Sequence, residues 1–375
     1  VECIDEDNRT QHQLQKQTSI KELFAQAIDI DEKMKVPESL WSRLARKQVK
    51  TVDYDKELWF RNMADGKASH FHNFPVPAVN TGRAKPLTLD EANVRLVKAL
   101  KAWRSQHKYR FRTGRSGSLK YLTVRELMKL WCNPRAIITT TDLHIRETPM
   151  EKVIDVKALG EFNLLPLMHE ETGSLEMMSL IISSARALTD SHSDDLDISN
   201  YCFCGSKLWL AWDTQEGLQN GLDDRDRVPI GDSARFDMKT YLSLKSARWF
   251  LVDDGNMMYL PGNMAHRVVT LKPYIGVGAF YIAFPNALRT VSRWQQYTAN
   301  WELDKEPEDI EYCSREEVAS FVAAKFKSGS KSLKNKAGAD YSGYALNAWV
   351  KAYSQSKRTK WTSATHIADA YNSSP

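Results

Sequence analysis

Cysteine is scarce in this chain. Five residues in 375 (Cys3, Cys132, Cys202, Cys204 and Cys313) are too few, and odd in number, for a disulfide framework. That usage points to a reducing compartment. Glycine and proline are modest too, at 17 and 13 residues, which excludes collagen-like and low-complexity chains. Long apolar runs are missing: the longest stretch free of charge and strong breakers, Tyr274 to Phe284, covers eleven residues. A membrane-spanning helix needs roughly 20, so no integral membrane protein is expected. Neither sign of charge dominates, since 52 Lys and Arg against 47 Asp and Glu leave a net +5. This mild excess permits an acidic or nucleic-acid partner without arguing for one. No leader with a charged and then an apolar segment is visible. Because the first residue is Val1, a fragment of a longer protein is expected.

The remaining composition is that of a globular chain long enough for one large domain or two ordinary ones. Residues 1–150 read as a helical, polar region packing on the core. Residues 13–27 form one candidate helix. Another runs from Leu89 to His107, where Thr88 and Glu91 have capping-box spacing and Ala92, Leu96, Leu100 and Trp103 recur as an amphipathic face requires. Thr123 and Glu126 repeat the cap before Leu127. Between these helices, Lys108 to Lys120 reads as a basic loop with Tyr109 and Phe111 interleaved, a weak candidate for phosphate contact.

From residue 151 to 294 the texture becomes β-rich: short runs of β-branched, aromatic and Met residues between turn signals. Strands are expected at Glu176–Ser184, Tyr201–Trp212, Ala247–Val252, Asn256–Leu260, His266–Leu271 and Tyr274–Phe284. The turns lie at Asp253-Asp254-Gly255, Pro261-Gly262 and Lys272-Pro273, with a polar insertion from Thr214 to Thr240. The pattern suits an antiparallel barrel or jelly roll, giving a mainly β core within an α+β chain. Residues 295–375 read as a C-terminal helical region, with a cap at Ser314 and Glu317, a Lys/Ser/Gly-rich linker at 328–336 and a last helix at 340–353.

The chemistry-bearing residues lie in the β region. His192 and Asp194 are two positions apart, so in an extended chain both side chains point the same way. His266, just after the Pro261-Gly262 turn, supplies a third ligand. Two His and one carboxylate on one face leave the opposite face of an octahedral Fe(II) open. Lys207, fifteen residues after His192, is a strand lysine that needs an anion if buried. The far carboxylate of 2-oxoglutarate would provide it, and Thr189 could donate a hydroxyl to the same group. Asp195 and Asp197 are expected to face solvent. Cys202 and Cys204 alternate along a strand without completing a zinc site, and His70 and His72 read as a loop pair.

Thr189-x-x-His192-x-Asp194, Asn200-Tyr201-x-Phe203-x-Gly205-x-Lys207 and Pro261-Gly262-x-x-x-His266 together resemble the JmjC-domain Fe(II)/2-oxoglutarate oxygenases of the cupin superfamily. The resemblance covers roughly residues 164–294, and the surrounding texture resembles fungal JmjC proteins. It implies a double-stranded β-helix flanked by helices, Fe(II) on His192, Asp194 and His266, and 2-oxoglutarate as co-substrate on Lys207 and Thr189, with O2 consumed. Asn200 matches an asparagine that demethylase-type members place near the co-substrate. The cysteine cluster of some demethylases has no counterpart.

Three functions follow as expectations. The first is a dioxygenase demethylating histone methyl-lysine. The second is a protein side-chain hydroxylase. The third is a catalytically silent scaffold on chromatin, with weak nucleic-acid contact through basic segments. The resemblance implies an intracellular, nuclear protein; the basic patches form no import signal.

Overall fold

The computed structural model describes residues 19–283, apart from short segments at 83–84, 114–117, 132, 141–142, 147, 160–162, 164–177, 195, 225–233 and 263. The features expected in 295–375, and the first turns of the helix expected at 13–27, lie outside the described residues. Among the described residues, no helix is long and apolar enough to cross a membrane.

The chain is helical at 19–30 (α1), burying Ile20, Phe24 and Ala27 along one face. Helix α2 spans Trp41–Lys47 and α3 spans Lys56–Asp65; Asp55 caps the start of α3 and Gly66, at φ 61°, ends it. Helix α4 covers Leu89–Ala102 and buries Ala92, Leu96 and Leu100 as its spacing predicts. The Thr88–Glu91 capping box is formed in both directions. Thr123 and Glu126 bond each other's backbone in the same way at the start of α5, Val124–Trp131.

The first 150 residues, expected to be helical, also supply six short strands. These are β1 (Thr51–Asp53), β2 (Ser69–His72), β3 (Tyr109–Thr113), β4 (Ser118–Leu122), β5 (Ile138–Thr140) and β6 (Leu143–His144). The basic stretch expected to be a loop is the β3–β4 hairpin. Its Tyr/Arg/Phe/Arg alternation puts Phe111 in the core and leaves Arg110 and Arg112 half-buried on the other side.

Six further strands follow: β7 (Met178–Ser183), β8 (Leu188–Ser193), β9 (Asp197–Asp213), β10 (Arg248–Asp253), β11 (Met257–Leu260) and β12 (Met264–Tyr281). All twelve join one mixed sheet in the order β1-β2-β11-β9-β12-β7-β5-β3-β4, with β10 on β9, β6 on β7 and β8 on β12. Only β1 and β2 run parallel among the named pairs. The turn expected at Lys272-Pro273 is absent: β12 runs through it, absorbing the proline in register shifts against β9. A short helix α6 (Val156–Leu159) precedes β7, and the polar insertion contains α7 (Thr214–Gln219) and α8 (Met238–Ser243).

Strands β9 and β12 pair along almost their whole lengths, from Met264 opposite Asp213 to Tyr281 opposite Asp197. They serve three apolar clusters. Tyr201, Phe203, Ile275 and Val277 pack with α3, α4 and α5. Leu208, Leu210, Trp212 and Val269 pack with α1, α2 and α8. The intervening residues Cys202, Trp209, Ala211, Val268 and Tyr274 join Phe250, Val252, Met258 and Leu260 in a third cluster, called here the inner one.

Gly205 makes the bend in β9 possible. It sits at φ +105°, and a Cβ there would collide with the Pro273 carbonyl oxygen. Gly205→Ala therefore meets both backbone strain and a rigid neighbour, and should lower stability by about 3 kcal/mol or more. Urea unfolding checks this; an unchanged midpoint would remove Gly205 from the determinants of the fold.

Candidate metal centre

His192 is the penultimate residue of β8, Asp194 is the first residue beyond that strand, and His266 lies near the start of β12 directly opposite His192. Their ligand atoms all fall within 4.8 Å of one another. His266 Nε2 lies 3.7 Å from Asp194 Oδ2, and the two imidazole centroids are 4.2 Å apart. His266 is buried, whereas His192 and Asp194 are half-buried, so the cluster opens on one side. Both rings are held the same way. His192 Nδ1 donates to the Asp190 carbonyl at 2.9 Å and His266 Nδ1 to the Met264 carbonyl at 3.2 Å. A carbonyl only accepts, so each Nδ1 carries the proton and each Nε2 presents its lone pair to the shared space. A metal-binding triad is thus present, with the donor set of two imidazoles and one carboxylate.

The strand carrying His192 is shaped by a bulge. His266 pairs with His192 and Val268 with Thr189, so Asp190 and Ser191 together oppose Arg267. Thr189 and His192 are three positions apart, a spacing that would put them on opposite faces of a regular strand. The extra residue returns both to the inner face. Behind the bulge, the buried Arg267 guanidinium binds Asp190 and, at 2.8 Å, Asp31. The Asp190 side chain also accepts from the Ala234 amide. The residue whose carbonyl orients His192 is therefore itself anchored.

Asp197, expected to face solvent, is buried, which corrects that expectation. Its carboxylate accepts from the Tyr259 hydroxyl at 2.7 Å and the Gly262 amide at 2.6 Å, holding the turn that launches β12 and His266. Burial is affordable because both oxygens are bonded. Asp195 lies outside the described residues.

Beyond the triad the inner face continues in rows. Thr189, Val268 and Trp209 form the row next to His192, His266 and Ala211; Thr270 and Lys207 form the one after. Lys207 thus lies four residues along from the triad's row, about 13 Å in strand rise. It is 3% exposed, and its Nζ sits 4.5 Å from the Tyr274 ring centroid. Among the described residues no carboxylate or hydrogen-bond acceptor pairs with it, and burial pushes its pKa down to about 7. The Tyr274 hydroxyl donates to Asn200 Oδ1, so one ring links the lysine and the asparagine. Gly276 leaves the room that ring occupies.

Among the buried polar atoms without a hydrogen-bond partner in the described residues are Trp209 Nε1, whose ring lies 5.2 Å from that of His266, and His70 Nε2. His70 shares a row with Met258, Asn200 and Gly278. Expected in a loop, His70 and His72 instead stand on β2. Burial, and secondarily the nearby His72, lowers the pKa of His70 to about 4, leaving a neutral imidazole. A buried cation and an unpaired N–H on the face of a two-His, one-carboxylate triad fit an organic anion that also reaches a metal. Fe(II) with 2-oxoglutarate has that character.

The structure therefore places His192, Asp194 and His266 together, Lys207 and Thr189 on the same face, and Asn200 beside Lys207 through Tyr274. Tyr274 and Trp209 were not singled out from sequence, and His70 was read only as half of a loop pair. The alternation Lys207/Trp209/Ala211 carried the signal for Trp209; nothing local distinguishes Tyr274. Cys202 is buried and Cys204 half-buried on β9, and the triad is the one group of three metal-ligating residues among the described residues. No family model and no curated protein matches the chain.

Proposed function

We propose that the chain is an Fe(II)- and 2-oxoglutarate-dependent dioxygenase of the JmjC type that acts on a protein substrate. The observation that carries this reading is Lys207: a buried cation without an anion, on the same inner face as the triad. The inner cluster between two outer ones, built by β9 and β12, supports the double-stranded β-helix that the reading requires. His192, Asp194 and His266 would hold Fe(II). Lys207 would pair with the far carboxylate of 2-oxoglutarate, with Trp209 Nε1–H and the Thr189 hydroxyl as neutral donors on the way. When bound, the pair supplies O2 activation coupled to decarboxylation of the keto acid, so that a substrate C–H becomes C–OH.

The residues of the chain then have separable tasks. The Asp190 and Met264 carbonyls fix the imidazole tautomers. Arg267 and Asp197 hold the segments that bring the ligands together. The inner apolar cluster keeps water from the reacting carbon. Hydroxylation of an N-methyl group releases formaldehyde, which is demethylation of a histone methyl-lysine; hydroxylation of a side-chain carbon is stable. Nuclear residence belongs to the same proposal.

Succinate release with Fe(II), ascorbate and methylated histone peptides tests it, with wild type beside His192→Ala. Succinate is expected from wild type alone, since removal of one ligand from a three-ligand site should cost at least about 100-fold in activity. Peptide mass then separates loss of methyl groups from gain of an oxygen atom. No succinate from iron-loaded wild type would leave the silent scaffold as the better reading.

A further inference from the structure

A cleft beside the strands of the triad is lined by positive charge. Arg43, Arg46 and Lys47 of α2, Lys67 after α3, Lys245, and Arg248 of β10 line a cleft of about 880 Å³. No acidic side chain is among the described residues lining it. Two carboxylates are bonded to residues of its wall. Asp65 pairs with Lys67 at 2.6 Å, and Glu216 accepts from the amides of Lys245 and Ser246 at 2.7 and 2.9 Å. Lys47 is spent on the Leu244 and Lys245 carbonyls. Arg43, Arg46 and Lys245 stay exposed, and no acidic side chain among the described residues pairs with them. Clustered like charges destabilise a fold by mutual repulsion unless an anion relieves them.

The cleft borders the strands that carry the triad. Met264, part of its wall, precedes His266 by two residues on β12 and so shares its face. Val49 and Ala68, also in the wall, pack on the inner cluster that contains Trp209 and Val268. Arg248 stands opposite Ala211, which stands opposite His266.

We propose that this cleft docks an acidic polypeptide segment and delivers its reacting side chain to the triad. The docking follows from the cleft alone; the reaction rests on the oxygenase reading. Two features favour polypeptide over nucleic acid. No aromatic side chain is among the described residues lining the cleft, so unpaired bases have nothing there on which to stack. Val49 and Met264, both partly exposed, line the cleft beside the cations, which suits a segment carrying apolar side chains as well as carboxylates. A lysine- and arginine-rich histone tail would meet like charge here. Within the oxygenase reading, the cleft thus shifts the substrate toward an acidic partner and a stable carbon hydroxylation.

Fluorescence anisotropy on the full chain tests this with a labelled Glu/Leu peptide, a Lys/Leu peptide of equal length, and single-stranded and duplex DNA. The acidic peptide should bind at least about tenfold tighter than the basic one. It should lose about tenfold in affinity in the Arg43→Glu/Arg46→Glu/Lys245→Glu variant, and weaken with added salt. These side chains are exposed, and an unchanged melting curve verifies the fold of the variant. Equal binding of both peptides, or affinity unmoved in the variant, would overturn the proposal; tighter binding of DNA would do so in favour of nucleic acid. Absorbance of the chain loaded with Co(II) and 2-oxoglutarate, read in the same samples, reports the triad separately. Peptide binding without a ligand-field spectrum would sink the oxygenase reading and leave the cleft standing; the reverse result would sink only the cleft.

Discussion

Replacing Lys207 with methionine should stabilise the empty protein while abolishing its thermal response to 2-oxoglutarate. The lysine is buried without an anion, and burial lowers its pKa from 10.5 to about 7. A folded pKa below the unfolded one means that the unfolded chain binds more protons between those values. Wild-type stability should therefore rise with pH from about 7 to about 10.5, and carry the whole penalty below that window. Removing the ammonium should gain on the order of 2–4 kcal/mol near neutral pH. The gain should fade as pH rises through about 10.5, above which the wild-type lysine is neutral in both states. Urea unfolding at neutral and alkaline pH measures this slope. Thermal melts with and without 2-oxoglutarate measure the other half: wild type should gain stability with the ligand and the variant should not. A variant less stable than wild type at neutral pH would mean that Lys207 has an anionic partner within the chain. Equal responses to the ligand would take the lysine out of the binding site.

The second large effect is expected at Arg267, which touches no metal ligand atom. Arg267→Met leaves Asp31 and Asp190 buried without their common cation. The loss should be about 3–5 kcal/mol, as for other broken buried ion pairs. The Asp190 carbonyl orients His192, so affinity for Co(II) should also fall by about 10- to 100-fold. Arg267→Lys should recover part of the stability but less of the affinity, because an ammonium cannot reproduce the fork that reaches both acids. Metal titration of folded samples separates the two effects. Stability lost with affinity intact would make Arg267 a packing residue only.

The local signals in the sequence were good guides where the physics is local. Capping residues and the apolar spacing of α4 depend on neighbours three and four positions away, and both stand as read. His192-x-Asp194 needs only the two-residue period of a strand. What escaped depends on distant chain. Strands β1 and β2 are three and four residues long and take their register from each other and from β11. Pro273 reads as a break, yet β9 supplies a partner whose bend accommodates it. Asp197 reads as one more acid in an acidic run. Its burial follows from Tyr259 and Gly262, more than sixty residues on. The unassigned role of Tyr274 has the same cause, because its contacts to Lys207 and Asn200 exist only once β9 and β12 are paired.

The bulge opposite Arg267 gives the sheet something like a reading frame. Residues up to Thr189 are read in one phase and those from His192 in the other, with the two-for-one step at Asp190 and Ser191 as the shift between them. A chain shortened by one residue at that step would keep every ligand in its sequence order. Yet it would turn Thr189 to the outer face, or His192 and Asp194 away from His266, according to which flank slipped. Substitutions across this segment change chemistry one residue at a time, whereas a change of length rewrites which side of the wall each residue addresses. The spacing of Thr189 from His192 is therefore a structural quantity in its own right, separate from the identity of either residue.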